Sequence, residues 1–311
     1  MTNIKPKSKP RHFVHLLSMW ENFKHKTVRD LAWAVSSNGL LNDRLTVKES
    51  LLREEYQKFI TQLRQLDEDP KLLMEFLETK NIKRLGHYFE QLIFFWLQHS
   101  ERFTILAKNT PLRSDKKNTL GEVDLIVQDQ DTLNYEHWEL AVKFYLSHSQ
   151  NGLTNYIGPN ANDYFHLKLE KLKEHQCEIL ESDEGKKLLS ELEISDIQPK
   201  LLVKGFLYYH PDQENTPWEN IHANHAKSWW VYVKEVEEFL SDGHHFALIH
   251  KNEWLSKPKT PEKLLSKKDC IKQLNEALKK SPRSLYLACY KNSELISQGF
   301  VVHNKWPDIN S

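Results

Sequence analysis

From Arg84 onward the chain reads as an α/β domain with a mixed central sheet. Three observations predict it. The expected elements run helix, strand, strand, strand, helix, strand, which is not a plain series of βαβ units. The helix over residues 84–99 is apolar nearly all round, so it is a buried helix. The stretch 119–146 holds two strands rich in branched and aromatic residues, joined by a polar, Asp-rich connection over 128–134.

The elements follow in order. Residues 1–10 are polar, carry Pro6 and Pro10, and read as a loose tail. Leu16, Leu17, Trp20 and Phe23, then Val28, Leu31, Ala32 and Val35, recur at helical spacing until Ser36-Ser37-Asn38-Gly39 breaks the pattern. Residues 49–66 form a charged amphipathic helix, and Pro70 suits the first turn of the next, 71–78. We read 1–80 as an N-terminal helical cap and 81–255 as the core. Within the core, residues 103–108 are a short strand and 111–120 a polar, basic connection. Residues 147–158 are polar and end in the turn pair Gly158-Pro159, after which 160–176 is helical with Asn160 or Asn162 as its cap. Strands follow at 200–209, 228–233 and 246–250. Residues 256–311 are a β-rich C-terminal extension: a lysine- and proline-rich linker, a helix over 271–279, and a strand pair packed on the core.

Bulk properties bound the function. The 311 residues carry 43 basic and 43 acidic side chains, so no global field draws the chain to nucleic acid, and such a partner needs a local basic patch. Cys177, Cys270 and Cys289 are widely spaced, without a CxxC pair, which points to a reducing, cytoplasmic compartment. The longest apolar run, 92–97, is far short of a membrane span. The basic N-terminus (Lys5, Lys7, Lys9, Arg11) precedes no long apolar segment, so no signal peptide is expected.

Several site types are absent: GxGxxG, the P-loop, GxSxG and HExxH do not occur. His222, His225, His244 and His245 read as loop histidines before they read as zinc ligands. What remains is a set of charged residues where core strands rarely keep them, since a buried charge is costly unless paired or metal-bound. Glu122 and Asp124 share one face of the first strand, and Glu139, Ala141 and Lys143 share one face of the second. Glu90 projects from the buried helix. If the faces match, carboxylates and a lysine form one site whose hard oxygens suit Mg²⁺ or Mn²⁺. The ion would activate water against a phosphodiester, with the lysine beside it. Lys168, Lys171 and Lys173 fit a solvated helix face better than a phosphate-binding one, and Trp138, Trp229 and Trp230 fit core packing better than base stacking.

Glu90 on its helix, then Gly121-Glu122-Val123-Asp124-Leu125-Ile126, then a strand ending Ala141-Val142-Lys143, resembles the PD-(D/E)XK, restriction-endonuclease-like nuclease superfamily, whose core order is αβββαβ. RLGHYFEQL, GEVDLI, WELAVKFYL and GPNANDYFHLKLEKL are similar to blocks of a bacterial family of unknown function assigned to that superfamily. The resemblance implies that Glu90, Asp124, Glu139 and Lys143 are catalytic, that Asp124, Glu139 and Glu90 hold Mg²⁺ or Mn²⁺, and that the partner is nucleic acid, DNA first. It departs at Ala141, where the second acid belongs. Glu139 keeps the parity, but its Cα separation from Lys143 grows from about 7 to about 14 Å. That departure leaves a second expectation: an inactive nuclease scaffold that binds nucleic acid or protein. A third makes the charges a buried ion-pair network.

Overall fold

The computed structural model describes residues 19–114, 119–213 and 216–309. The expected N-terminal tail, with Leu16 and Leu17, lies outside the described residues. Four helices come first: α1 (Lys26–Ser36), α2 (Glu49–Glu68), α3 (Lys71–Glu78) and α4 (Leu85–Gln98). α1 stops at Ser36, where the Ser-Ser-Asn-Gly signal stands. Strands β1 (Phe103–Arg113), β2 (Thr119–Asp129), β3 (Tyr135–Gln150) and β4 (Leu153–Ile157) follow, then α5 (Phe165–Lys171), α6 (Asp183–Glu191) and β5 (Gln198–Tyr209). The chain closes with β6 (Ala226–Tyr232), α7 (Val236–Phe239), β7 (His245–Leu248), α8 (Lys267–Lys280), β8 (Leu285–Lys291) and β9 (Glu294–Val302).

The nine strands among the described residues join one mixed sheet in the order β1-β2-β3-β5-β6-β9-β8-β7, with β4 attached to β3. β2 runs antiparallel to both its neighbours, β1 and β3; β3, β5, β6 and β9 run parallel. The C-terminal strand pair is therefore part of the same sheet as the core. One face is covered by α1 to α4, whose buried residues merge with Trp138, Leu140, Phe144, Phe206 and Phe300 into the largest apolar cluster. Trp33 of α1 stacks on Phe206 of β5 at 6.0 Å. α4 is buried without interruption from Gln91 to Leu97, as an all-round apolar helix requires. The opposite face carries smaller clusters, one under α5 around Ala141, Tyr145 and Leu207, another under α8.

Several boundaries differ from expectation. β1 runs on through Pro111, which pairs with Glu122, so the basic connection shrinks to a short segment whose residues 115–118 lie outside the described ones. Proline is tolerated there because β1 is an edge strand, where a missing N–H costs no ladder bond. The polar loop expected over 147–158 is instead the end of β3, a hairpin turn and β4. Asn151 and Gly152 both take positive φ, 53° and 77°, the geometry of a primed two-residue turn. The helix expected from Asn160 starts only at Phe165, with no side-chain cap, and loosens into a wider π turn over Leu172–Gln176. α6 was not anticipated; Ser182 caps it by accepting the Gly185 N–H.

Candidate active site

The site begins with an interruption in strand pairing. Along one edge β3 pairs with β5 from Glu136 to Leu146. Along the other edge it pairs with β2 only from Tyr135 to Trp138, and with β4 only from Leu146 to Gln150. Between them, Glu139 to Tyr145 has no strand partner on that edge among the described residues. β2 meanwhile stays with β1 as far as Thr119, so the β1–β2 hairpin peels away from β3. The next pair in register after Leu125 and Trp138 would be Asp124 opposite Glu139. Like charges directly opposite each other destabilise a ladder, which is a physical reason for the strands to part at that step. Asp124 fills the fork: its Oδ2 accepts the Leu140 N–H at 2.9 Å, replacing the lost ladder bond.

Lys143 lies in the same open stretch, half-buried. The backbone opposite it is Gly205 of β5, at φ +137°, where an added Cβ would sit 1.8 Å from the Lys143 carbonyl oxygen. Only glycine allows β5 to pass this close to the lysine backbone. Glu139 is buried at 2% exposure; its Oε1 lies 3.1 Å from His137 Nε2 and its Oε2 accepts from Gln176 Nε2 at 3.5 Å. Glu90 is half-buried and has no hydrogen-bond or ion-pair partner among the described residues.

The acids reach the fork from two sides. α4 packs on the face of β3 that carries Trp138, Leu140 and Phe144. By alternation Glu139, Ala141 and Lys143 belong to the other face, and Ala141 does pack there, with Leu40, Tyr145 and Leu207. Because the ladder is open, the charges still feel one another. Burial, then Glu139, then Glu90 and Glu122 push Asp124 up to about 8 against the pull of the Leu140 N–H. Burial, then Glu122 and Glu139, push Glu90 up to about 7. Lys143 is lowered by burial first and by Lys168 second, while Asp163 and Asp124 favour its charge.

Lys143 and Glu90 look into a cleft of about 1300 Å³ between α4, β3, the start of α5 and the segment after β7. Asp124 and Glu139 do not line it. Asp163, which also lines it, accepts the Tyr145 hydroxyl at 2.9 Å.

The donor set has the chemistry a hard divalent ion wants: crowded carboxylate oxygens that raise one another's proton affinity. Its spacing is wider than ligation needs, because no group of three or more His, Cys, Asp or Glu side chains among the described residues stands close enough to hold a metal ion. Two of the histidines singled out in the sequence serve structure: His225 Nε2 lies 2.7 Å from the Tyr209 hydroxyl, and His222 Nε2 lies 3.4 Å from Glu49. Trp138, Trp229 and Trp230 are core residues, all at 2% exposure or less. Lys173 pairs with Asp43, while Lys168 stands at the cleft.

The fold therefore gathers Glu90, Asp124 and Glu139 around one fork and sets Lys143 at the neighbouring cleft. Sequence reasoning did not anticipate His137 and Gln176 as partners of Glu139; His137 was visible two residues earlier on the same strand face. Gln176 carried no signal, since a π turn brings it there.

The chain matches the model of the domain of unknown function DUF1853 over residues 29–302. It belongs to that family. No curated protein and no solved structure matches it. The DUF1853 match covers the helical layer, the fork and every strand of the sheet.

Proposed function

We propose that this DUF1853 protein is a metal-dependent, nuclease-like hydrolase of phosphodiester bonds, built on a PD-(D/E)XK core with its centre at the β2–β3 fork. The observation that carries this reading is the opening of the ladder at Asp124 and Glu139, with Glu90 brought to the same opening by a buried helix. The run α4, β1, β2, β3, α5, β5, with β3 and β5 parallel, supports the superfamily's core order, with β4 and α6 as additions. Asp124, Glu90 and Glu139 would hold Mg²⁺ or Mn²⁺; sharing one ion requires them to close up. A bound ion would supply an activated water and neutralise charge on the phosphate. Lys143, held less basic by burial, would meet a phosphate oxygen entering from the cleft that it lines.

The test combines calorimetric titration with Mg²⁺ or Mn²⁺ and cleavage of labelled DNA and RNA. Wild type should bind the ion and cleave, and Asp124→Asn should lose at least a hundredfold in rate while remaining folded. Cleavage that survives that substitution sinks the assignment.

One observation favours a second reading, an inactive scaffold that binds nucleic acid. Asp124 already spends one oxygen on the Leu140 N–H, and Glu139 both of its own on His137 and Gln176. On that reading nucleic acid binds the cleft and is released intact with either metal present.

A further inference from the structure

The cleft beside Lys143 has a charge pattern that the fork does not require. Seven Lys and Arg side chains and five carboxylates line it. The carboxylates are mostly occupied. Asp30 accepts both oxygens' worth of bonds from Lys26, at 2.8 and 2.7 Å, and one more from Tyr88 at 3.0 Å. Asp163 takes the Tyr145 hydroxyl, and Glu253 takes the Lys259 backbone N–H at 3.0 Å. The cations are free by contrast. Lys83, Arg84, Lys143, Lys168, Lys251 and Lys259 line the cleft and form no ion pair among the described residues. All but Lys143 are exposed.

Their placement is directional. Lys83 and Arg84 stand just before α4 on one side, Lys251 and Lys259 on the segment after β7, and Lys143 and Lys168 on β3 and α5. An aromatic surface goes with them: half-buried Trp254 lines the cleft, with the Lys251 ammonium 5.7 Å from its ring. Unpaired cations tracking a groove, with an aromatic face inside it, are the recognition pattern of single-stranded nucleic acid.

The size of the cleft favours one strand over two. The cleft's 1300 Å³ is only slightly above the roughly 300–1,000 Å³ of small-molecule pockets. B-DNA is far thicker, its major groove alone being about 12 Å wide.

We propose that the cleft threads one single strand of nucleic acid, its phosphates held by Lys83, Arg84, Lys251 and Lys259 and led past Lys168 and Lys143 toward the fork. The proposal rests on the nucleic-acid half of the functional reading and is independent of whether the fork hydrolyses anything.

The test is fluorescence anisotropy in EDTA, where no hydrolysis occurs, with labelled single-stranded DNA, single-stranded RNA and the matching DNA duplex. A single strand, of either sugar, should bind at least tenfold more tightly than the duplex. Its log K should fall with log salt at a slope of about −0.7 per phosphate contacted. Lys83→Glu/Arg84→Glu and Lys251→Glu/Lys259→Glu should each weaken it at least tenfold without moving the thermal midpoint. The exposed pair Lys186→Glu/Lys187→Glu, on α6 and outside the cleft, should bind as wild type. Duplex binding equal to or tighter than single-strand binding overturns the proposal, as do cleft variants that bind as wild type. Cleavage in Mg²⁺ or Mn²⁺ is scored separately, so tight single-strand binding without cleavage sinks the hydrolase and keeps the groove, whereas cleavage of duplex alone does the reverse.

Discussion

β2 carries two aspartates five residues apart, and they live in opposite conditions. Asp129, at 3% exposure, lies in the paired part of the strand. Burial alone would raise it, but Arg102 grips both its oxygens, at 3.0 and 2.9 Å, and the Asp131 N–H adds a third bond, so it ends below its ordinary value. Asp124 lies where pairing with β3 stops. It meets three other carboxylates and one N–H, and is pushed up to about 8. The same residue type on the same strand is thus a finished structural ion pair at one end and an unneutralised acid at the other. Proteins keep the second condition at sites that bind a cation or a proton.

The largest expected effect lies at the structural end. Arg102→Ala leaves Asp129 buried without its partner, which costs about 3–5 kcal/mol. Chemical denaturation measures it. A loss under 1 kcal/mol would mean that Asp129 is not held by Arg102 and would break the contrast.

Next is Ala141, where the second acid of the proposed superfamily would stand. The structure packs it against Leu40, Tyr145 and Leu207, under α5. Ala141→Glu therefore does not complete the site; it buries a carboxylate among apolar groups and costs about 2–4 kcal/mol. A variant as stable as wild type, with tighter Mn²⁺ binding, would show that position 141 does face the fork.

The fork itself predicts an inverted pH dependence. A carboxyl whose folded pKa is raised keeps its proton longer in the native state, so stability is greatest below the unfolded value and falls as pH rises. With Glu90 raised from 4.5 to about 7 and Asp124 from 3.8 to about 8, the loss runs between pH 4 and 8. Asp124→Asn should flatten much of that slope and leave the protein about 1–3 kcal/mol more stable than wild type at pH 8. A variant less stable than wild type at pH 8 would contradict the raised value.

How much of this was readable beforehand follows from range. The α4 helix, the two strands and the parity of Glu122 with Asp124 are local patterns, and periodicity carries them. The β3–β4 hairpin was just as local: Asn151-Gly152 is a strong turn signal, passed over because the flanking residues are polar. The open edge from Glu139 to Tyr145 was not readable, since it depends on where β2 and β4 stop pairing. The same holds for the approach of Glu90 and Glu139 from opposite faces, which strand alternation alone could not reveal. The basic cleft joins residues from 83 to 259, and a zero net charge conceals it. The apolar surroundings of Ala141 were hidden for the same reason, because Leu40 and Leu207 are distant in sequence.

The smallest effect tests whether the fork is one electrostatic unit. Glu122 is exposed and touches neither Glu90 nor Asp124 by hydrogen bond, yet its charge raises both. Glu122→Gln removes that charge and almost no packing. Both groups should then titrate lower by a few tenths of a pH unit, each tenth being worth about 0.14 kcal/mol. NMR titration of the carboxyl carbons reads the shift, with the exposed Glu101→Gln, outside the set of charges acting on either acid, as the control. Equal curves for Glu122→Gln and wild type would mean that solvent screens the rim from the fork. Glu90 and Asp124 would then owe their raised values to burial, to Glu139 and, for Asp124, to Glu90, and the site would narrow to the three acids at the opened ladder.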